Sequence, residues 1–346
     1  DLDAATKQYV DALEARVDTL ETLLASVSLE NGGEEFVFTG VNVHVRDGSG
    51  DTDGDVNGLG NLIVGYNEDT STGGTAARTG SHNLVLGTEN EYTSYGGFVG
   101  GNLNSISGFY SSVSGGRENT ASGDYSSVSG GYFNTASGSY SSISGGASNT
   151  ASGSYSSISG GYDNTASGFS SSVTGGWDNT ASETGSSVSG GQYNTASGEY
   201  SSVLGGGGSS SSDGNEAWAN LSVVGGGSKN TAGNVSSGDR DEGLGSAVLA
   251  GAENQVTNDL ASISGGKENL ASGFSSSISG GEGNTASGGT SSISGGRDNT
   301  AGSNHSSVSG GYGNTASGWY SSVSGGYQRS VNDTYNWQAG TLFETE

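Results

Sequence analysis

Small apolar residues return along most of this chain at a fixed interval of fifteen. Val113, Val128, Ile143, Ile158, Val173, Val188 and Val203 keep the interval strictly, and it resumes at Ile263, Ile278, Ile293, Val308 and Val323. Ile63, Val85 and Phe98 read as irregular early members, and Val223 and Val248 as members reached by longer steps. Eight residues after the anchors comes a smaller apolar group: Ala121, Ala136, Ala151, Ala166, Ala181 and Ala196, then Val256, Ala271, Ala286, Ala301 and Ala316. The flanking residues alternate as in strands. Ser111, Val113 and Gly115 face one way and Ser112 and Ser114 the other, while Asn119 and Ala121 share an inner face from which Thr120 and Ser122 point away. Gly115-Gly116 and Ser122-Gly123 supply the bends. A fifteen-residue unit is too short for helices, so the pattern predicts a mainly β chain, a narrow parallel solenoid whose coils stack about 4.8 Å apart. Asn119, Asn134, Asn149, Asn164, Asn179 and Asn194 share one phase, as do Asn269, Asn284, Asn299 and Asn314, and stacked amides at a corner predict a hydrogen-bonded ladder. The extra residues in Gly206–Asp213 and Val235–Glu242 read as loops on one face.

A different pattern opens the chain. Val10, Leu13, Val17, Leu20, Leu24 and Val27 alternate three and four apart, the seam of a short coiled coil over residues 1–30, with Asn31-Gly32-Gly33 as its stop. About three heptads are marginal for a helix alone, so this segment needs partners. Arg16-Val17-Asp18-Thr19-Leu20-Glu21 resembles the motif of three-stranded coiled coils, in which Val17 and Leu20 enter the seam and Arg16 and Glu21 pair across chains. A homotrimer is therefore expected; the plainer reading is an amphipathic helix packed on its own domain. Next, Val41, Val43 and Val45 alternate with polar residues within Phe36–Arg46 and predict a strand. With the Gly/Asp loop Asp47–Gly60 it makes a neck over residues 31–60. Coils then fill 61–328, and 329–346, bearing Tyr335, Trp337, Leu342 and Phe343, reads as a terminal cap.

Energetics sharpen the picture. Burying one Val contributes roughly 1.5–3 kcal/mol, whereas ordering fifteen residues costs on the order of 15–30 kcal/mol of backbone entropy. Two small side chains per coil cannot offset that. Parallel ladders between coils must supply part of the difference, with burial against other chains expected to supply the rest.

Only 30% of the 346 residues are hydrophobic, a level common in disordered chains, but 67 glycines and the Ser, Thr and Asn that surround them sit in fixed phase. There is no cysteine, hence no disulfide or thiolate site. A net charge of -26 argues against nucleic acid and anionic membranes as partners, since both demand cationic patches. No apolar run is long enough to cross a bilayer, and Asp1 to Lys7 lack the basic and apolar regions of a secretory signal.

The unit Tyr125-Ser-Ser-Val-Ser-Gly-Gly-Tyr-Phe-Asn-Thr-Ala-Ser-Gly138 resembles the head repeats of trimeric autotransporter adhesins of the YadA-like type. Asn61-Leu-Ile-Val-Gly65 and Asn83-Leu-Val-Leu-Gly87 look like its less regular opening coils. The resemblance covers residues 60–327 and implies a left-handed parallel β-roll, three of which pack side by side as an extracellular or cell-surface head. Two departures limit it. The helix precedes the repeats, the reverse of the usual order, and the family's membrane-anchor barrel is not among these residues.

Candidate chemistry is sparse. His44, His82 and His305 are scattered and lack a nucleophile motif, so no enzyme is expected. Gly225-Gly-Gly-Ser-Lys229 lacks the spacing of a phosphate loop and reads as a turn. Asp51, Asp53 and Asp55 alternate in a Gly-containing loop, a candidate Ca²⁺ site, although without the distal Glu of an EF-hand. Aromatic residues fall in two phases: Tyr110, Tyr125, Tyr140, Tyr155 and Tyr200 in one, Tyr132, Tyr162, Trp177, Tyr312 and Tyr327 in the other. Such columns can grip a protein or glycan surface or pack between protomers, and at least one is expected at an interface. The function expected is that of a non-enzymatic, trimeric adhesive fibre head. Alternatives are the receptor-binding fibre of a phage or contractile injection machine and, below it, an ice-binding solenoid built on the threonine column from Thr120 to Thr195.

Overall fold

The computed structural model of this chain describes residues 2–69 and 76–339. They fall into two units, one ending at Arg46 and one beginning at Asp47.

In the first unit, helix α1 spans Leu2–Leu24. Strands β1 (Val27–Glu30) and β2 (Glu35–Phe38) follow as an antiparallel hairpin in which Val27 lies opposite Phe38 and Glu30 opposite Glu35. The helix thus stops short of residue 30, and Val27, expected in the seam, starts β1. Its three-residue spacing from Leu24 also fits the alternation Val27-Ser28-Leu29-Glu30, and Asn31 (φ 51°) and Gly32 (φ 75°) provide the left-handed turn that closes a hairpin. The strand expected over Phe36–Arg46 is paired only through Phe38. Val41, Val43 and Val45 join no ladder among the described residues and remain exposed.

The second unit is a parallel β-solenoid of about 17 coils. One sheet, called here the valine sheet, runs from Leu62–Val64 through Leu84–Thr88 and Phe98–Asn102 to the two-residue strands that begin at Ser112–Val113 and end at Trp337–Gln338. Its ladder is parallel throughout, with Val113, Val128, Ile143, Ile158 and Val173 in register. The alanine sheet, of sixteen strands, runs from Glu91–Tyr92 to Ser330–Val331, with Ala121, Ala136, Ala151 and Ala166 in register. From Val85 to Val323 in the valine sheet and from Tyr92 to Val331 in the alanine sheet, the inward-facing residues are at most 4% exposed.

Register moves two anchors by one residue. Val99 and Val224 are buried and aligned with Val113 and Val203, while Phe98 and Val223 sit beside them at the half-exposed serine position. A fourteen-residue step before Val99 and a twenty-one-residue step before Val224 shift the phase by one, and of two adjacent apolar groups the one facing inward is chosen by the ladder. Ile63 belongs to the opening strand and is exposed, because no strand precedes it in the ladder. The expected cap at 329–346 begins as a further coil: Ala316 pairs with Val331, and Val323 with Gln338. Leu342 and Phe343 lie outside the described residues.

Asparagine completes the interior. Asn119 donates its backbone N–H to Asn104 Oδ1 at 2.8 Å and its Nδ2 to Gly131 O at 3.0 Å and Gly115 O at 3.3 Å. The same bond to the preceding amide oxygen recurs coil after coil, from Asn90 on Asn67 through to Asn314 on Asn299. The ladder therefore includes Asn67, Asn90, Asn104, Asn215, Asn230 and Asn254 besides the predicted members. It saturates backbone groups that the corner turns away from both sheets. Glycine makes this corner close: Gly116 has φ 81°, and a Cβ there would run into Gly131 O, whereas around Gly115 the space is open.

Candidate functional site

In most coils both sheets present hydroxyls outward, Ser112 and Ser114 on the valine sheet and Thr120 and Ser122 on the alanine sheet, so most of the varied chemistry falls at the two corners. At the corner after Ser-Gly, the chain enters the left-handed region at Tyr110, Tyr125, Tyr140 and Tyr155, with φ between 54° and 60°. Each of their N–H groups reaches back one coil, as Tyr125 N to Phe109 O at 2.8 Å and Tyr140 N to Asp124 O at 2.8 Å. The rings therefore rise with the coils and stack: centroids lie 5.3, 4.8 and 4.9 Å apart along the four, with planes 20°, 4° and 2° from parallel. Tyr95 meets Tyr110 edge-on at 89°, and Phe169 meets Tyr155 at 68°. Tyr200, in the same phase, is cut off by Ser170 and Gly185.

The corner after Gly-Gly differs. Single bridges run through Arg117, Tyr132, Ala147, Tyr162, Trp177 and Gln192, and later through Lys267, Glu282, Arg297, Tyr312 and Tyr327. Rings here pack mostly at steep angles, Tyr162 on Trp177 at 80° and Tyr132 on Phe133 at 62°, although Trp177 leans on Tyr193 at 38° and Tyr312 stacks on Tyr327 at 12°. The cations of this corner are matched by carboxylates: Arg117 to Glu118 at 2.7 Å, Lys229 to Asp213 at 3.4 Å and Glu253 at 3.7 Å, Lys267 to Glu268 at 2.7 Å, and Arg297 to Asp298 at 3.5 Å. The hydrogen bond and charge of Glu268 hold Lys267 above its usual pKa, and Lys267 in turn holds Glu268 below its own. Asp163 and Asp178 stack in successive coils; desolvation and then Asp163 push Asp178 upward.

The remaining predicted residues are dispersed. Asp51, Asp53 and Asp55 are exposed, and among the described residues no three His, Asp or Glu side chains converge as metal ligands. The loop is organised by Asp47 instead, whose Oδ1 accepts Ser49 N–H at 2.8 Å and Ser49 Oγ–H at 2.7 Å and lies 3.5 Å from His82 Nε2. Those bonds, the Ser49 hydroxyl foremost, lower the pKa of Asp47. Asp53, Asp55, Tyr95 and Phe109 line a groove of about 350 Å³, where desolvation and then the Asp53 charge raise the Tyr95 phenol. His305 stacks on Tyr320 at 4.5 Å and meets Thr290 Oγ1 at 2.6 Å; His44 is exposed. Along α1, Val10, Leu13, Val17, Leu20 and Leu24 are 38 to 57% exposed, and among the described residues no ion pair engages Arg16 or Glu21. No helix among the described residues is long and apolar enough to cross a membrane.

The sequence cue missed for the corners was the left-handed backbone. Gly185 and Gly245 in the tyrosine phase, and Gly283 and Gly313 in the phase of Glu118, Phe133 and Asp163 beside the second column, mark positions where φ is 63–65°. No protein-family model matches this chain, and no curated protein matches it either.

Proposed function

We propose that this chain is a non-enzymatic, extracellular adhesive fibre segment that assembles as a homotrimer through its first unit and meets its partner along the corner columns of the solenoid. The observation that carries the reading is the uncovered seam of α1. Val10, Leu13, Val17, Leu20 and Leu24 line one face of a helix that nothing in its own unit covers, and Arg16 and Glu21 flank that seam without partners in the chain. Apolar residues spaced for a coiled coil and left in water are stabilised by other copies of the same face, and three copies suit the Arg16–Glu21 spacing. Exposed Phe36, Phe38, Val41, Val43 and Val45 in the same unit extend the surface that assembly would cover.

The corner columns support the adhesive part. Bulky residues in the left-handed region cost roughly 1–2 kcal/mol each, and glycine occupies the same phases elsewhere at less cost. Retaining Tyr, Phe and charged groups there is the pattern of a surface kept for recognition. Sedimentation equilibrium of the full chain tests the assembly: a trimer is expected, with Leu20→Asp dissociating it while the β signal of the solenoid persists. A stable monomer at micromolar concentration overturns the reading.

A further inference from the structure

We propose that Tyr110, Tyr125, Tyr140 and Tyr155 form a covalent modification site, the substrate of a one-electron oxidant of the peroxidase class that joins neighbouring rings as dityrosine and staples one coil to the next. This inference does not depend on the trimer. Three successive pairs hold their ring centroids 4.8 to 5.3 Å apart with planes within 20° of parallel. The rings are 40 to 54% exposed, so an oxidant reaches them, and no protein group among the described residues hydrogen-bonds their hydroxyls. The left-handed corner and its N–H ladder hold each ring base one coil from the next, so two radicals would be made already in contact. Coupling then needs no diffusional search.

The chemistry balances with hydrogen peroxide as the terminal oxidant. Each of two phenols gives up one electron and its hydroxyl proton, leaving two phenoxyl radicals. Their ring carbons ortho to oxygen form one C–C bond, and the hydrogen on each of those carbons moves to its oxygen, restoring two phenols. The two electrons and two protons reduce one H₂O₂ to two waters. With one link per ring, the four tyrosines yield two links, Tyr110–Tyr125 with Tyr140–Tyr155, or the single link Tyr125–Tyr140; the second ortho carbon of a linked ring allows further coupling only on renewed oxidation. Phe169, unable to form a phenoxyl, ends the ladder. The same stacking recurs many coils away at Tyr320–Tyr335 (5.0 Å, 10°) on this corner and at Tyr312–Tyr327 (5.4 Å, 12°) on the corner after Gly-Gly, so the same link is expected there.

Treating the full chain with horseradish peroxidase and hydrogen peroxide, followed by proteolysis and mass spectrometry, tests this. The expected products are intrachain dityrosine peptides joining residues fifteen apart, each exceeding links from Tyr66 by about tenfold or more because proximity replaces encounter, although Tyr66 is 94% exposed. Tyr125→Phe, which keeps the stack, should abolish both links of Tyr125 and leave Tyr140–Tyr155. Guanidinium should erase the preference. Links that follow exposure, join chains through Tyr66, connect Tyr110 to Tyr140, or persist unchanged in guanidinium overturn the proposal.

Discussion

Replacing Asn164 by Leu removes one rung of the amide ladder at nearly constant volume, leaving no room for a water to take its place. Asn164 Nδ2 donates to Asn149 Oδ1 at 3.1 Å, Gly160 O at 3.1 Å and Gly176 O at 3.0 Å, and its Oδ1 accepts Asn179 N–H and Nδ2–H, each at 3.1 Å. Several of these partners keep another bond. Gly176 O still accepts Tyr162 N–H, Asn149 Oδ1 still accepts Asn164 N–H, and Asn179 Nδ2 still reaches Gly175 and Gly191. Two groups lose their bond outright, the Asn179 N–H and the Gly160 carbonyl. At about 1–3 kcal/mol for the buried Asn179 N–H, with the carbonyl of half-exposed Gly160 adding less, the variant should lose about 1–4 kcal/mol. Ser167→Ala, an exposed hydroxyl three residues further along the same coil, should change stability by less than about 0.5 kcal/mol. Urea unfolding read by circular dichroism gives the magnitude, and amide hydrogen exchange gives the place: protection should fall first at Asn179 and its coil neighbours, because coils communicate only with adjacent coils. A loss below about 1 kcal/mol, or one no larger than that of Ser167→Ala, refutes the claim that the ladder carries the corner.

The two glycines of one turn should behave differently. Gly131 has φ 96° and a Cβ would collide with Gly146 O, so Gly131→Ala should lower the urea midpoint, while Gly130→Ala, with open space around it, should change stability by less than about 0.5 kcal/mol; equal effects would contradict the geometry. Two carboxyl groups should give opposite pH dependences. Asp47, depressed below the ordinary value near 3.9, stabilises above that value and loses its contribution as pH falls through its lower folded pKa; Asp47→Asn should flatten that arm of the thermal stability profile. Glu216 stands in the threonine column of the alanine sheet, raised chiefly by desolvation, so its ionisation opposes folding as pH rises from the ordinary glutamate range through its folded pKa. Glu216→Thr should raise the melting temperature at neutral pH, with the gain shrinking on acidification; a gain that grew on acidification would reverse the sign of the argument.

Where the repeat is exact, sequence alone located the parts of each coil. Val113, Asn119 and Ala121 recur at one interval, and translation along a solenoid keeps equal phases in equal environments. Where the interval changes, phase was no guide. Asn215 and Asn254 bond to the amides of Asn194 and Asn230 across 21 and 24 residues, so their place in the ladder depends on how the intervening loop leaves and rejoins the coil. The choice between Phe98 and Val99 needed strand register, which adjacent apolar residues leave open. At Val27, helical and strand periodicities coincide, and the hairpin partner at Phe38 decided. The tyrosine corner was legible as a column but not as a stack, because tyrosine disfavours the left-handed backbone that aligns the rings.

The expectation that a coil this thin leans on other chains narrows once the ladder is counted. Each coil buries an asparagine and a serine beside its valine and alanine, and in most coils the asparagine joins the coil before and the coil after. In the coils, much of the stabilisation absent from the apolar estimate therefore runs along the axis. The two sheet faces carry hydroxyls and offer a neighbouring chain little apolar surface. Most large uncovered apolar groups lie in the first unit, on α1, β2 and Val41–Val45, and at the two corners, with Leu62–Val64, Leu204 and Leu249 as exceptions on the valine sheet. Dependence on other copies is thus expected to concentrate in the first unit, while the solenoid body holds itself through its ladders. A chain cut before Asp47 should then keep the β signal of its coils as a monomer, whereas loss of that signal on removing the first unit would return the missing stabilisation to contacts between chains.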